Sequence, residues 1–188
     1  MESDQLLTIF LANTLTKDSA QHRLSLTKEF LEYYFFTKHE NQNLIYLLNK
    51  FINEKKENRD EFNALFTWGY HFFDLFTKKN MYNLLTELEN RVRDLPTAVV
   101  YLPFVLPVYA LPKLSAWFRT NVHPNFIIDL KSDRDLIGGC AIVWKGTYHD
   151  FSLRYFLSIK KAAVKKIVDD FLPPDQHSRP LDSPSKAV

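Results

Sequence analysis

The chain has 188 residues, 46% hydrophobic and 24% charged, enough for one ordinary domain or two small ones with buried cores. Its 24 basic residues nearly balance 22 acidic ones, leaving +2, so charge calls for neither a nucleic-acid partner nor a highly charged substrate. The single cysteine excludes an internal disulfide framework and any multi-cysteine zinc or iron–sulfur site.

The first 95 residues contain one glycine, Gly69, and no proline. Such a stretch suits consecutive helices with short connections and no hairpins. Hydrophobic periodicity predicts helices over 3–13, 18–38, 41–54, 60–78 and 81–94. No basic segment precedes the opening apolar run, so neither a secretory signal nor an Arg-rich transit peptide is expected, and the expected setting is a reducing cytoplasm. Two of the helices are apolar on more than one side. The first carries Leu6, Leu7, Ile9, Phe10 and Leu11; the fourth carries Phe62, Leu65, Phe66, Phe72, Phe73 and Phe76 on one stripe and Trp68 and Leu75 on another. A surface helix of a small bundle needs one apolar stripe. The second is either covered by further helices or left as a groove for a partner helix.

From Pro96 onward, prolines, β-branched runs and glycine turns appear together, which places a boundary near residue 95. Residues 95–112 carry no charge but include Pro96, Pro103, Pro107 and Pro112, a spacing that no bilayer helix tolerates. A strand over 98–105 is expected, then a helix over 112–122 with Pro112 at its first position, and strands over 125–130 and 139–144. Lys145-Gly146 would turn the chain into a short return strand ending near His149. A last helix over 151–171 follows, capped by Asp150 or Ser152. From residue 173 the chain is nearly devoid of apolar residues and reads as a disordered tail.

No reaction centre emerges from this pattern. The six histidines, at 22, 39, 71, 123, 149 and 177, show no metal-ligand spacing. Cys140, inside an apolar strand, reads as a small buried hydrophobe, the alternative being a nucleophile with a base nearby. Gly138-Gly139 precedes a strand, which is not the context of a phosphate loop, and instead suits a bend or a close backbone approach. Basic residues of the last helix suit a solvated face, with nucleic-acid binding as the alternative. No catalytic residue, cofactor or metal is expected.

Residues 133–154, DRDLIGGCAIVWKGTYHDFSLR, resemble the signature of the delta subunit of F-type ATP synthases, called OSCP in mitochondria. The pattern is carried by Asp133, Leu136, Ile137, Gly138 and Gly139, then ten hairpin residues, then Asp150, Ser152, Leu153 and Arg154. The resemblance implies an α+β fold with an N-terminal bundle of five or six helices over 1–95 and a small β-α-β-β-α domain over 96–172. A disordered tail over 173–188 would follow. It implies a non-catalytic, peripheral stator role, one copy per complex, with no span of its own; lack of a presequence favours the cytoplasmic face of a bacterial inner membrane over a mitochondrion or chloroplast. The bundle would hold the N-terminal helix of an α subunit, with Leu6, Phe10, Phe62, Phe66, Trp68 and Phe73 as groove residues. The second domain would hold the b-subunit stalk through Phe156, Ile159 and Ala163. Rivals are the E subunit of V-type stators, which favours Asp-Asn-Thr where this chain has Asp150-Phe151-Ser152, and an enzyme using Cys140.

Overall fold

A computed structural model describes residues 2–37, 43–55, 59–107 and 109–171; the side chains of Glu2, Arg59, Asp60 and Phe62 lie outside that description. The expected tail over 173–188 lies outside the described residues. The fold is mixed α/β. Among the described residues, eight helices accompany one four-stranded mixed sheet.

Five helices precede the first strand: α1 (Glu2–Asn13), α2 (Lys17–Phe36), α3 (Leu44–Lys55), α4 (Arg59–Phe73) and α5 (Met81–Arg93). Their start and stop signals are local. Thr16 opens α2 with a capping box, its hydroxyl accepting from the Ser19 N–H at 3.2 Å while Ser19 Oγ accepts from the Thr16 N–H at 3.3 Å. α4 is not one continuous helix. Gly69 has φ +48° and ψ −146°, and an added Cβ there would meet nothing within 4 Å. Glycine is needed at that point for its backbone angle and not for space. Counted on either side of Gly69, the helical segments before the sheet number six.

The remainder is β1 (Thr97–Leu102), α6 (Ala110–Asn121), β2 (Ile127–Ser132), β3 (Gly139–Trp144), β4 (Thr147–Ser152), α7 (Leu153–Ile159) and α8 (Lys161–Phe171). The sheet order is β2-β1-β3-β4, with β1 and β2 parallel and the other pairs antiparallel. A helical crossover is what a parallel neighbour requires, and α6 supplies it. The β3–β4 turn has Lys145 at φ 49° and Gly146 at φ 77°, the two positive angles of a tight type I′ hairpin.

Several boundaries differ from the expectation: the strand expected over 98–105 ends at Leu102, and the helix expected over 60–78 is α4, which ends at Phe73 and is broken at Gly69. α6 begins at Ala110, so Pro112 is its third residue and not its first; N–H groups of a first helical turn have no intrahelical acceptor, so proline costs no bond there. β4 runs to Ser152 because Gly139 pairs with Ser152 and Cys140 with Phe151, which consumes residues expected in the helix. The last helix is broken at Lys160 (φ −100°, ψ 18°). Its second half, α8, packs chiefly on α7, so no neighbouring layer enforces a single axis.

Two apolar cores meet at β2. Leu6, Phe10, Phe30, Leu47, Leu65 and Phe72 are fully buried among the helices, and Ile127 belongs to that cluster. Ala98, Val100, Phe118 and Phe126 form the other, with Ile128 in it. Successive strand residues point to opposite faces, so β2 presents one isoleucine to each core. The ring planes of Phe118 and Phe126 are stacked at 4.6 Å, which fastens α6 to the strand it leads into.

Polar groups buried at the helical junction are paired. Arg23 Nε lies 2.7 Å from Glu61 Oε2, both side chains being more than nine-tenths buried, and Arg23 Nη1 donates to the Asn13 carbonyl at 2.5 Å. This links α2, α4 and the end of α1. Replacing Arg23 by Ala removes the guanidinium from a buried carboxylate, a change that typically costs about 3–5 kcal/mol. Chemical denaturation should show that loss; a variant with wild-type stability would mean that the pair is replaceable by water.

Candidate functional site

Two surfaces stand out. The first is a cavity of about 550 Å³ between α1 and α4, lined by Thr8, Ile9, Ala12 and Asn13 from α1 and by Thr67, Trp68 and His71 from α4, with Gln5 at one end. α1 explains it by its spacing. Leu6, Leu7, Phe10 and Leu11 are all buried, so the core takes positions 6, 7, 10 and 11 and leaves 5, 8, 9 and 12 facing the cavity.

That division relocates the expected groove residues. Leu6 and Phe10 are 0% exposed and Phe73 is 2% exposed, its ring edge-on to Phe30 at 5.0 Å; all three are core side chains and present nothing to a groove. Phe66 is exposed on α4 but does not line this cavity. Phe62 lies outside the described side chains. Trp68 does line it. Its ring rests on Phe10 at 5.1 Å and Phe72 at 4.8 Å, and its buried indole N–H has no hydrogen-bond partner. Ile9 and Ala12 are the groove positions that periodicity missed; both sit on a helix whose inward stripe is broad enough to hide the outward one.

The second surface is the hairpin-to-helix junction that contains residues 133–154. Asp133 accepts the Asp135 N–H at 3.0 Å while its own N–H donates to the Leu102 carbonyl at 2.8 Å, so the turn entering β3 is fastened to the end of β1. Leu136 is buried beneath it and Ile137 is exposed. The two glycines are not equivalent. A Cβ on Gly139, at φ +79°, would stand 2.3 Å from the Phe151 carbonyl oxygen, whereas one on Gly138 would make an ordinary 3.8 Å contact with Leu153. What Gly138 contributes is its carbonyl, which accepts the Leu153 N–H at 2.9 Å.

Ser152 is the helix cap. It is buried, and its hydroxyl accepts the Tyr155 N–H at 3.1 Å. Asp150 acts one step earlier, accepting the Ser152 N–H at 2.8 Å. Hydrogen bonds from Ser152 hold the Asp150 carboxyl below the usual carboxylate range, and the Arg154 charge adds to that through space. Leu153 and Arg154 are exposed. Every polar contact in this stretch is spent on local architecture.

Beyond the junction, α7 and α8 expose apolar side chains beside charged ones such as Lys160, Lys161, Lys165 and Asp169. Phe156, Ile159 and Ala163, the expected stalk residues, are all exposed. Tyr155, Leu157, Ile167, Val168 and Phe171 are exposed beside them in sequence, Phe171 at 82%. Large apolar side chains exposed in such number over two helices make this stretch a candidate interaction surface.

Chemistry is sparse by comparison. Among the described residues no group of three or more His, Cys, Asp or Glu is placed to hold a metal ion, and no helix is long and apolar enough to cross a membrane. Burial, with the Asp150 charge behind it, pushes the Cys140 thiol up from its ordinary value, which favours the protonated thiol over the nucleophilic thiolate. No protein-family model matches the chain, and no curated protein matches it.

Gly139→Ala should lower stability by at least about 2 kcal/mol, because it adds a left-handed penalty to a backbone collision. Gly138→Ala should leave stability within about 1 kcal/mol of wild type. Equal losses in paired thermal melts would contradict the distinction.

Proposed function

We propose that this chain is a non-catalytic stator subunit of a proton-translocating F-type ATP synthase, of the delta or OSCP type. The observation that carries the proposal is the run from Asp133 to Arg154, in which the spacing of the family signature coincides with a hairpin locked onto a capped helix. The element order supports it as well. Six helical segments, counting α4 as two, lead into a β-α-β-β-α arrangement.

In this role residues 1–95 face the catalytic head and residues 96–172 face the stalk. The cavity between α1 and α4 takes the N-terminal helix of an α subunit. The apolar side of α7 and α8 takes the C-terminal end of the b subunits. The protein performs no reaction. It keeps the head from turning with the rotor, so that torque is delivered to the catalytic sites, and it sits peripherally at the cytoplasmic face of a bacterial inner membrane.

Magnitudes favour apolar joints over charged ones. An elementary charge crossing 100 mV releases about 2.3 kcal/mol, so several ions per ATP load the stator with on the order of 10 kcal/mol. A nanomolar contact is worth about 12 kcal/mol. Exposed salt bridges at about 0–1 kcal/mol each would not hold such a joint, whereas buried aromatic and aliphatic anchors would.

Ile9→Asp tests the groove, since it places a charge on the cavity wall, at a half-buried position whose inner side touches the core, so folding is checked beside binding. Titration calorimetry with a peptide of the cognate α-subunit N-terminus should show at least a tenfold weaker affinity, about 1.4 kcal/mol. Wild-type affinity in the folded variant would remove the α1–α4 cavity as the docking place.

A further inference from the structure

We infer that Arg119, on α6 of the sheet layer, is the positioning residue that sets the α1 wall of the docking cavity. The inference rests on the stator reading for the identity of the occupant, but its geometry is independent of that reading. Three donors of one guanidinium reach three backbone carbonyls. Nη1 donates to Leu11 at 2.9 Å, Nη2 to Thr14 at 2.7 Å and Nε to Phe126 at 3.2 Å. The first two acceptors belong to the end of α1 and the turn that follows it; the third lies just ahead of β2.

The wall in question is built from the same turn of helix. Thr8, Ile9, Ala12 and Asn13 line the cavity, and Leu11 lies among them on the opposite side of α1. Helix-end carbonyls have no intrahelical donor, and a cation at a helix C-terminus is favoured by the helix dipole as well as by the hydrogen bonds themselves. Arg119 supplies both from outside the bundle. Its planar fork suits this task because two of its N–H groups span Leu11 and Thr14 at once.

Arg23 also holds this turn, but it does so from the bundle's interior with Glu61, where its loss is a folding defect. Arg119 is only partly buried, and its three bonds go to neutral carbonyls, so its removal strands no buried charge as removal of Arg23 does. Loss of Arg119 therefore frees the end of α1 without unfolding the bundle. The consequence is mechanical: the sheet layer, on which α7 packs through β4, also holds one wall of the head-facing cavity.

Hydrogen exchange and peptide binding on the full chain test this together. In Arg119→Ala, amides of residues 9–15 should exchange at least tenfold faster while those of α5 stay unchanged, and the α-subunit N-terminal peptide should bind about tenfold more weakly. Arg119→Lys, which keeps the charge but not the fork, should recover part of both effects, and serves in place of the alanine variant if that one does not fold. Unchanged exchange over residues 9–15 would overturn the positioning role. Wild-type peptide affinity in a variant whose α1 has loosened would overturn it too. If the peptide fails to bind the wild-type chain, the stator reading falls, and exchange alone decides whether Arg119 holds α1.

Discussion

The structure depends on how the backbone carbonyls between α1 and α2 are satisfied. Phe10 accepts from the Thr14 hydroxyl, Leu11 and Thr14 from Arg119, Asn13 from Arg23, Leu15 from the Ile128 N–H, and Thr16 from the Ala20 N–H that begins α2. Buried backbone acceptors without donors are costly, so this short turn must be met from several sides at once. Its donors come from α2, α6 and β2 and from Thr14 in the turn itself. The link between helices and sheet is thus a network of directed bonds as well as shared apolar contact, with the isolated Thr16–Ile128 bridge covering the outer edge of β2.

That joint ties the α1–α4 cavity to the sheet layer from which α7 departs. The α1–α4 cavity is shaped by a helix whose inner stripe is entirely core, and the α7–α8 surface begins where Gly138 and Ser152 tie the hairpin to the helix. Both are built the same way: polar residues are used to set backbone direction, and apolar side chains are then left facing outward. The shifted carboxyls are shifted by local partners: Asp150 by hydrogen bonds from Ser152, and Asp4 by its hydrogen bond from Arg91.

Much of this was legible in the sequence. The absence of proline and the single glycine before residue 96 marked the helical stretch, and β3 falls on the predicted 139–144. Helical periodicity found α1 to α5 because each buries a regular stripe. What it did not resolve was which of two apolar stripes faced inward: Leu6 and Phe10 were expected in the groove and lie in the core, while Ile9 and Ala12 face the cavity. Periodicity reports that a face is apolar, and only packing decides what covers it. Arg119 was invisible for a related reason. Its acceptors Leu11 and Thr14 are more than a hundred residues away in the chain, and a backbone carbonyl has no sequence signature. The break at Lys160 carries no glycine or proline to announce it.

The most direct measurement is affinity purification of the full tagged chain from detergent-solubilised membranes of its native cell, followed by identification of what accompanies it. A stator subunit should bring down the α, β and b chains of an ATP synthase at one copy of itself per complex. Recovery of the chain alone, or with partners from which α, β and b are all missing, would contradict the stator role.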